Sequence, residues 1–171
     1  MTIGESIIGD IASHYARRRE FAVHEAGHAV HAVKHDIPLQ YTTIDLNQIP
    51  EVLRGGNGYT RVNIKLNGQS SEISDIFLAG IAAQFVAGTP NDINEIANEC
   101  RNDVQRAQAN ATWQNPRHPA MELICSFRDA LRFAQDNITS ILAVADALLA
   151  RNTLTGADVA DIIAANPPRI G

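Results

Sequence analysis

The segment FAVHEAGHAVHAVKHD, residues 21–36, holds four of the chain's six histidines, and alanine or valine fills most of the gaps. His24, His28, His31 and His35 are spaced four, three and four. At 3.6 residues per helical turn those steps return to nearly the same face, so in a helix all four fall within roughly 60° of one another. His24-Glu25-Ala26-Gly27-His28 has the pattern H-E-x-x-H. Two imidazoles one turn apart can reach one Zn²⁺ ion, and a carboxylate about 100° round from the first can take a proton from a water on that ion. His24 and His28 are therefore expected as metal ligands, Glu25 as the catalytic base, and zinc as the cofactor. A purely structural helix with partly exposed histidines would carry the same letters, but an alanine-rich surround suits a metal better than solvent. His31 and His35 are expected to support the ligands, to pack, or to face water.

The elements that must position these groups are legible in outline. Residues 3–15 read as a short amphipathic helix weakened by Gly4 and Gly9. The histidine helix follows, rich in alanine and free of proline until Pro38, and should end near Asp36. YTTIDL (41–46) and YTRVNIK (59–65) alternate as strands, separated by the glycine-rich loop 50–60. Residues 70–88 start on a Ser/Glu cap and repeat apolar side chains at helical spacing. Ala79, Gly80, Ala82 and Ala83 within them allow close approach of another helix. Pro90-Asn91-Asp92 opens a helix running to about Thr112, two more cover 120–134 and 136–151, and 153–163 starts a last one. The expected fold class is mainly α with a small β-sheet, an α+β arrangement in a single domain over residues 1–171.

Bulk properties exclude several roles. The net charge of −5, with no long basic run, argues against a nucleic-acid partner, and Arg17-Arg18-Arg19 reads as a solvated turn. Cys100 and Cys125 stand apart with no C-x-x-C, which suits free thiols in a reducing compartment. Apolar runs fall short of the ~18 residues a membrane span needs, and the N-terminus lacks a signal-peptide core, so a cytoplasmic protein without a membrane partner is expected.

Catalytic zinc usually has three protein ligands and one open position. A third histidine in the H-E-x-x-H-x-x-G-x-x-H form would require glycine at 31 and histidine at 34, where this chain has His31 and Lys34. A carboxylate from a later helix is the remaining choice, with Glu95 in NEIANE and Asp92 in GTPNDINEIAN as candidates. Glu95 would stand about 300° round from Asp92, so both could face one cavity and geometry leaves the choice open.

FAVHEAGHAV resembles the zinc motif of the FtsH-type ATP-dependent metallopeptidases. The likeness continues in order through RGGNGYT, FLAGIAAQFVAG, GTPNDINEIANECRNDV and ADALLARNTLTGADVADII, across residues 18–165. It implies an FtsH peptidase-like fold and makes the aspartate of N-D-I, Asp92, the third zinc ligand. Departures are plain: no Gly-x-x-x-x-Gly-Lys-Ser/Thr of an ATPase occurs, and Gln84-Phe85 stands where the family carries a Glu-Glu pair.

The expected function is that of a zinc metalloendopeptidase. His24, His28 and Asp92 hold the metal, and Glu25 moves the proton to the leaving amine. Without an unfoldase the substrates should be peptides or unfolded protein segments, and a separate ATPase is the partner that would widen that range. Peptidase domains of the family touch each other, which makes a small homo-oligomer plausible. Residues 59–65 could offer an edge strand to an extended substrate, and Tyr41, Tyr59 and His118 carry groups suited to stabilising an oxyanion. Two rivals are a non-catalytic, zinc-stabilised interaction or adaptor module that kept the fold, and a pH switch built on His31 and His35.

Overall fold

The computed structural model describes residues 3–49, 58–63, 71–89 and 93–167. Among them the chain is mainly helical, with seven α-helices and one three-stranded antiparallel sheet.

The first helix, α1 (Ile3–Lys34), is continuous where the sequence suggests two. Gly4 and Gly9 lower helix propensity by about 1 kcal/mol each, but neither removes a backbone hydrogen bond, and only a proline would. The C-terminus closes on Asp36, which takes the left-handed conformation (φ 54°). Ile37 N–H donates to Ala32 C=O and Asp36 N–H to Val33 C=O, the paired closure that terminates many helices. Pro38 then cannot continue the helix.

Strand β1 (Leu39–Thr43) follows, then a single 3-10 turn at Leu46–Gln48 capped by Asp45, and β2 (Tyr59–Val62). Strand β1 starts two residues before the alternating stretch 41–46 and ends three before its end, and residues 50–57 of the glycine-rich loop and 64–65 of the second stretch lie outside the described residues. The third strand, β3 (Thr153–Thr155), was expected as the opening of a helix. It pairs antiparallel with β1, giving the order β2-β1-β3 with Thr42 opposite both Thr60 and Leu154. Three residues carry no readable period, which is why only the pairing reveals it.

Helix α2 (Ser71–Val86), whose expected Ser/Glu cap falls outside the described side chains, crosses α1 at small residues. A Cβ on Gly27 would lie 2.5 Å from Ala79 O and 2.7 Å from Ala83 Cβ, so the backbones approach where only glycine fits. Gly80 approaches the His24 and His28 rings on the same face, and Ala22, Ala26 and Ala29 bury another side of α1. The expected helix from Pro90 to Thr112 is two: α3 (Ile93–Glu99) and α4 (Arg101–Gln114), parted at Cys100 (φ −96°, ψ 32°). Helices α5 (Pro119–Asp136) and α6 (Ile138–Arg151) meet at Asn137, and α7 (Gly156–Ala165) starts from a capping box of Thr155 and Asp158. The core gathers Val23 and Val30 of α1, Leu78 and Ile81 of α2, Ile141, Val144 and Leu148 of α6, and Leu154 and Val159. The result is an aliphatic core running along α1, with the sheet near one flank. Among the described residues no helix is both long and apolar enough to cross a membrane.

Candidate metal centre

Helix α1 carries His24, Glu25 and His28 to its buried side, each only 6–8 % exposed. A buried imidazole needs partners at both nitrogens, and these two rings find them in the same sense. His24 Nδ1 lies 2.9 Å from Gln84 Oε1, and His28 Nδ1 lies 2.6 Å from Ile76 C=O. Both partners are acceptors, so each Nδ1 carries the hydrogen and each neutral ring turns the lone pair of Nε2 away from α2.

The two Nε2 atoms then meet at 2.9 Å. Asp103 of α4 completes the triangle, its Oδ2 3.0 Å from His24 Nε2 and 3.5 Å from His28 Nε2. Three electron-rich atoms cannot stay at these separations without a cation between them. Without a metal, a proton serves. Burial alone would lower His24, but the neighbouring Cys100 and the hydrogen bond to Asp103 hold its imidazole well above the ordinary histidine range. Burial would raise Asp103, and its hydrogen bonds to His24 and His28 instead hold it far below the usual carboxylate range.

The donor set fits zinc. Nitrogen and oxygen ligands about 2.0–2.2 Å from a tetrahedral ion stand about 3.3–3.6 Å apart. The observed 2.9, 3.0 and 3.5 Å need only a small opening to accept the ion. Two neutral imidazoles and one carboxylate also suit Zn²⁺ in kind. Gly80 makes the room: a Cβ there would lie 2.6 Å from both His24 Cε1 and His28 Nε2. Cys100 approaches the other edge of the His24 ring, with Sγ 3.4 Å from Nδ1 and 3.6 Å from Gln84 Oε1. His24, Cys100 and Asp103 thus form a group able to surround an ion, although the thiol lies on the Nδ1 side and the carboxylate on the Nε2 side.

Glu25 is held from the sheet. Its Oε2 accepts a hydrogen bond from Thr60 Oγ1 of β2 at 2.6 Å. Burial pushes its carboxyl up from the ordinary glutamate value, while His24, His28 and Thr60 pull it part of the way back.

His24, Glu25 and His28 are thus brought together. Asp92 and the side chain of Glu95 lie outside the described residues. Asp103 is not among the candidates that the sequence offers; the resemblance implies the N-D-I aspartate, Asp92, instead. A signal existed: Asp103, Ala107 and Ala111 recur every four residues and share the buried face of α4. Gln84, on α2, holds the His24 imidazole through its uncharged amide oxygen. His31 is 2 % exposed and packs away from the centre, stacked on His35 (ring centroids 4.2 Å apart) and leaning on Phe133 (4.7 Å). Burial, then His35 and His28, push its pKa down to about 3. Tyr41 and Tyr59 pair edge-to-face across the sheet, and His118 stands exposed at the start of α5 without a side-chain capping hydrogen bond. No protein-family model and no curated protein matches the chain.

Proposed function

We propose that this domain is a zinc-dependent endopeptidase of the FtsH type. The observation that carries the reading is the meeting of His24 Nε2, His28 Nε2 and Asp103 Oδ2, with a buried, separately anchored carboxylate, Glu25, on the adjacent residue. Bound zinc would supply a Lewis acid that polarises a peptide carbonyl and acidifies water.

The chain's own residues would do the rest. His24 and His28 bind through Nε2, kept in that tautomer by Gln84 and Ile76. The third ligand is a carboxylate, either Asp103, which touches both imidazoles, or Asp92, which the resemblance implies. Glu25, with its affinity for protons raised by burial, takes a proton from the attacking water and returns it to the departing amine. Strand β2, an edge of the sheet, bears the Thr60 that anchors Glu25, so a peptide laid along that edge would pass close to the base. Such a substrate must be extended, which means peptides or unfolded segments, with a separate ATPase needed for folded ones.

Metal analysis of protein purified without chelator, followed by digestion of a peptide library, tests this reading. About one zinc per chain and internal cleavage are expected. Glu25→Gln should keep the zinc and lose at least ~100-fold in turnover, because an amide cannot accept the proton. Zinc retained with no cleavage of any peptide would place the chain among non-catalytic interaction modules. No zinc at all would end the metal reading.

A further inference from the structure

Glu25 can act as a base only if its carboxylate is held in place, and the contacts that hold it come from outside the metal ligands. Thr60 Oγ1 stands 2.6 Å from Glu25 Oε2 and 3.2 Å from the Glu25 backbone oxygen. A hydroxyl has one hydrogen, and at 2.6 Å an ionised carboxylate claims it. The oxygen of Thr60 is then free to accept, and Thr42 Oγ1, directly opposite in the sheet and 2.9 Å away, donates to it. Thr42 is fully buried and Thr60 half-buried, so the inner hydroxyl of this chain of two is shielded from competing water.

Gly58 supplies the complementary half. A Cβ at that position would lie 2.5 Å from Glu25 Cγ and 2.6 Å from Glu25 Oε1, inside contact distance for any atoms. Gly58, just before β2, therefore leaves the space in which the Glu25 side chain sits, and the Thr60 hydroxyl of the strand holds its Oε2.

We propose that Thr60 is a positioning residue for Glu25, with Thr42 behind it and Gly58 as the space in which Glu25 sits. This rests on the peptidase reading above and adds a division of labour between the two carboxylate oxygens. Oε2 is committed to Thr60, so Oε1 is the oxygen that accepts the proton when the water O–H bond breaks and releases it when the amine N–H bond forms. Because Thr60 belongs to the edge strand, the anchor of the base and the substrate-binding edge are parts of one element.

Thr60→Val keeps the shape and deletes the hydroxyl. It should retain zinc and KM while kcat falls roughly 10- to 100-fold, the usual loss when an outer hydrogen-bonding partner of a site is removed. Thr60→Ser should restore kcat to within a few-fold. Thr42→Val, which leaves Thr60 in place, should cost only a few-fold and serves as well if Thr60→Val folds poorly. A kcat for Thr60→Val within about two-fold of wild type would overturn the proposal and leave the peptidase reading standing. Should wild-type protein bind zinc and cleave nothing, the peptidase reading fails instead. Crystal structures of metal-free wild type and Thr60→Val then decide the positioning claim: a displaced Glu25 carboxylate upholds it, and an unmoved one overturns it.

Discussion

At the scale of single residues, the centre is a set of acceptors that need a cation, and the acceptor carrying formal charge should matter most. Asp103 touches both imidazoles. Asp103→Asn keeps the size but removes the charge that offsets part of the metal's +2. We expect it to weaken zinc by at least ~10-fold in chelator competition, and by at least as much as Asp92→Asn does. The reverse ranking, with zinc lost from Asp92→Asn and kept by Asp103→Asn, would give the third place to the residue that the family resemblance implies. Gln84 anchors one of the two rings without adding charge to the centre. What His24 Nδ1 requires is an acceptor at 2.9 Å, and an amide oxygen provides one without charge.

At the scale of elements, two helices and a strand divide the work. Helix α1 presents His24, His28 and Glu25, the proposed ligands and base, while α2 fixes both rings from behind and β2 holds the Glu25 carboxylate from the side. The α1–α2 crossing must be close enough for Gln84 and Ile76 to reach the imidazoles, and the small residues at the seam permit it. Gly80→Ala is the sharpest test. Its methyl would fall 2.6 Å from His24 Cε1 and His28 Nε2, and neither ring can retreat without breaking a buried hydrogen bond. Zinc affinity should drop ~10-fold or more, with a modest loss of stability of about 1–3 kcal/mol from overpacking. Unchanged affinity in a competition titration would mean that the crossing has slack.

At the scale of the whole molecule, His31 links the core to pH. Its pKa is about 3 in the folded chain against an ordinary 6.5, so protons bind more readily to the unfolded state. Its neutral form contributes stability that is fully present above about pH 6.5 and is lost progressively as pH falls toward about 3. Urea titrations of metal-free protein across that window should show wild type losing up to ~1.4 kcal/mol per pH unit more than His31→Leu. Parallel curves would show that the ring is not held neutral. The arrangement also sets the limits of what the sequence alone could determine. The spacing of His24, Glu25 and His28 needs only a helix, and a local rule with a 3.6-residue period is written in the letters themselves. The same period gave the helical character of the chain and the seam of Ala79, Gly80, Ala82 and Ala83, and alternation with a period of two gave the first two strands. Longer-range partners left weaker traces or none. The single α1 depends on what its N-terminal half costs, which propensities at Gly4 and Gly9 do not decide. Strand β3 is three residues that become a strand only beside β1. Asp103 reaches the histidines because the break at Cys100 and the packing of α4 turn it there, and Thr60 meets Glu25 because β2 lies against α1. Contacts between residues tens of positions apart are fixed by how elements pack, and no local periodicity encodes the distance between two side chains on different elements.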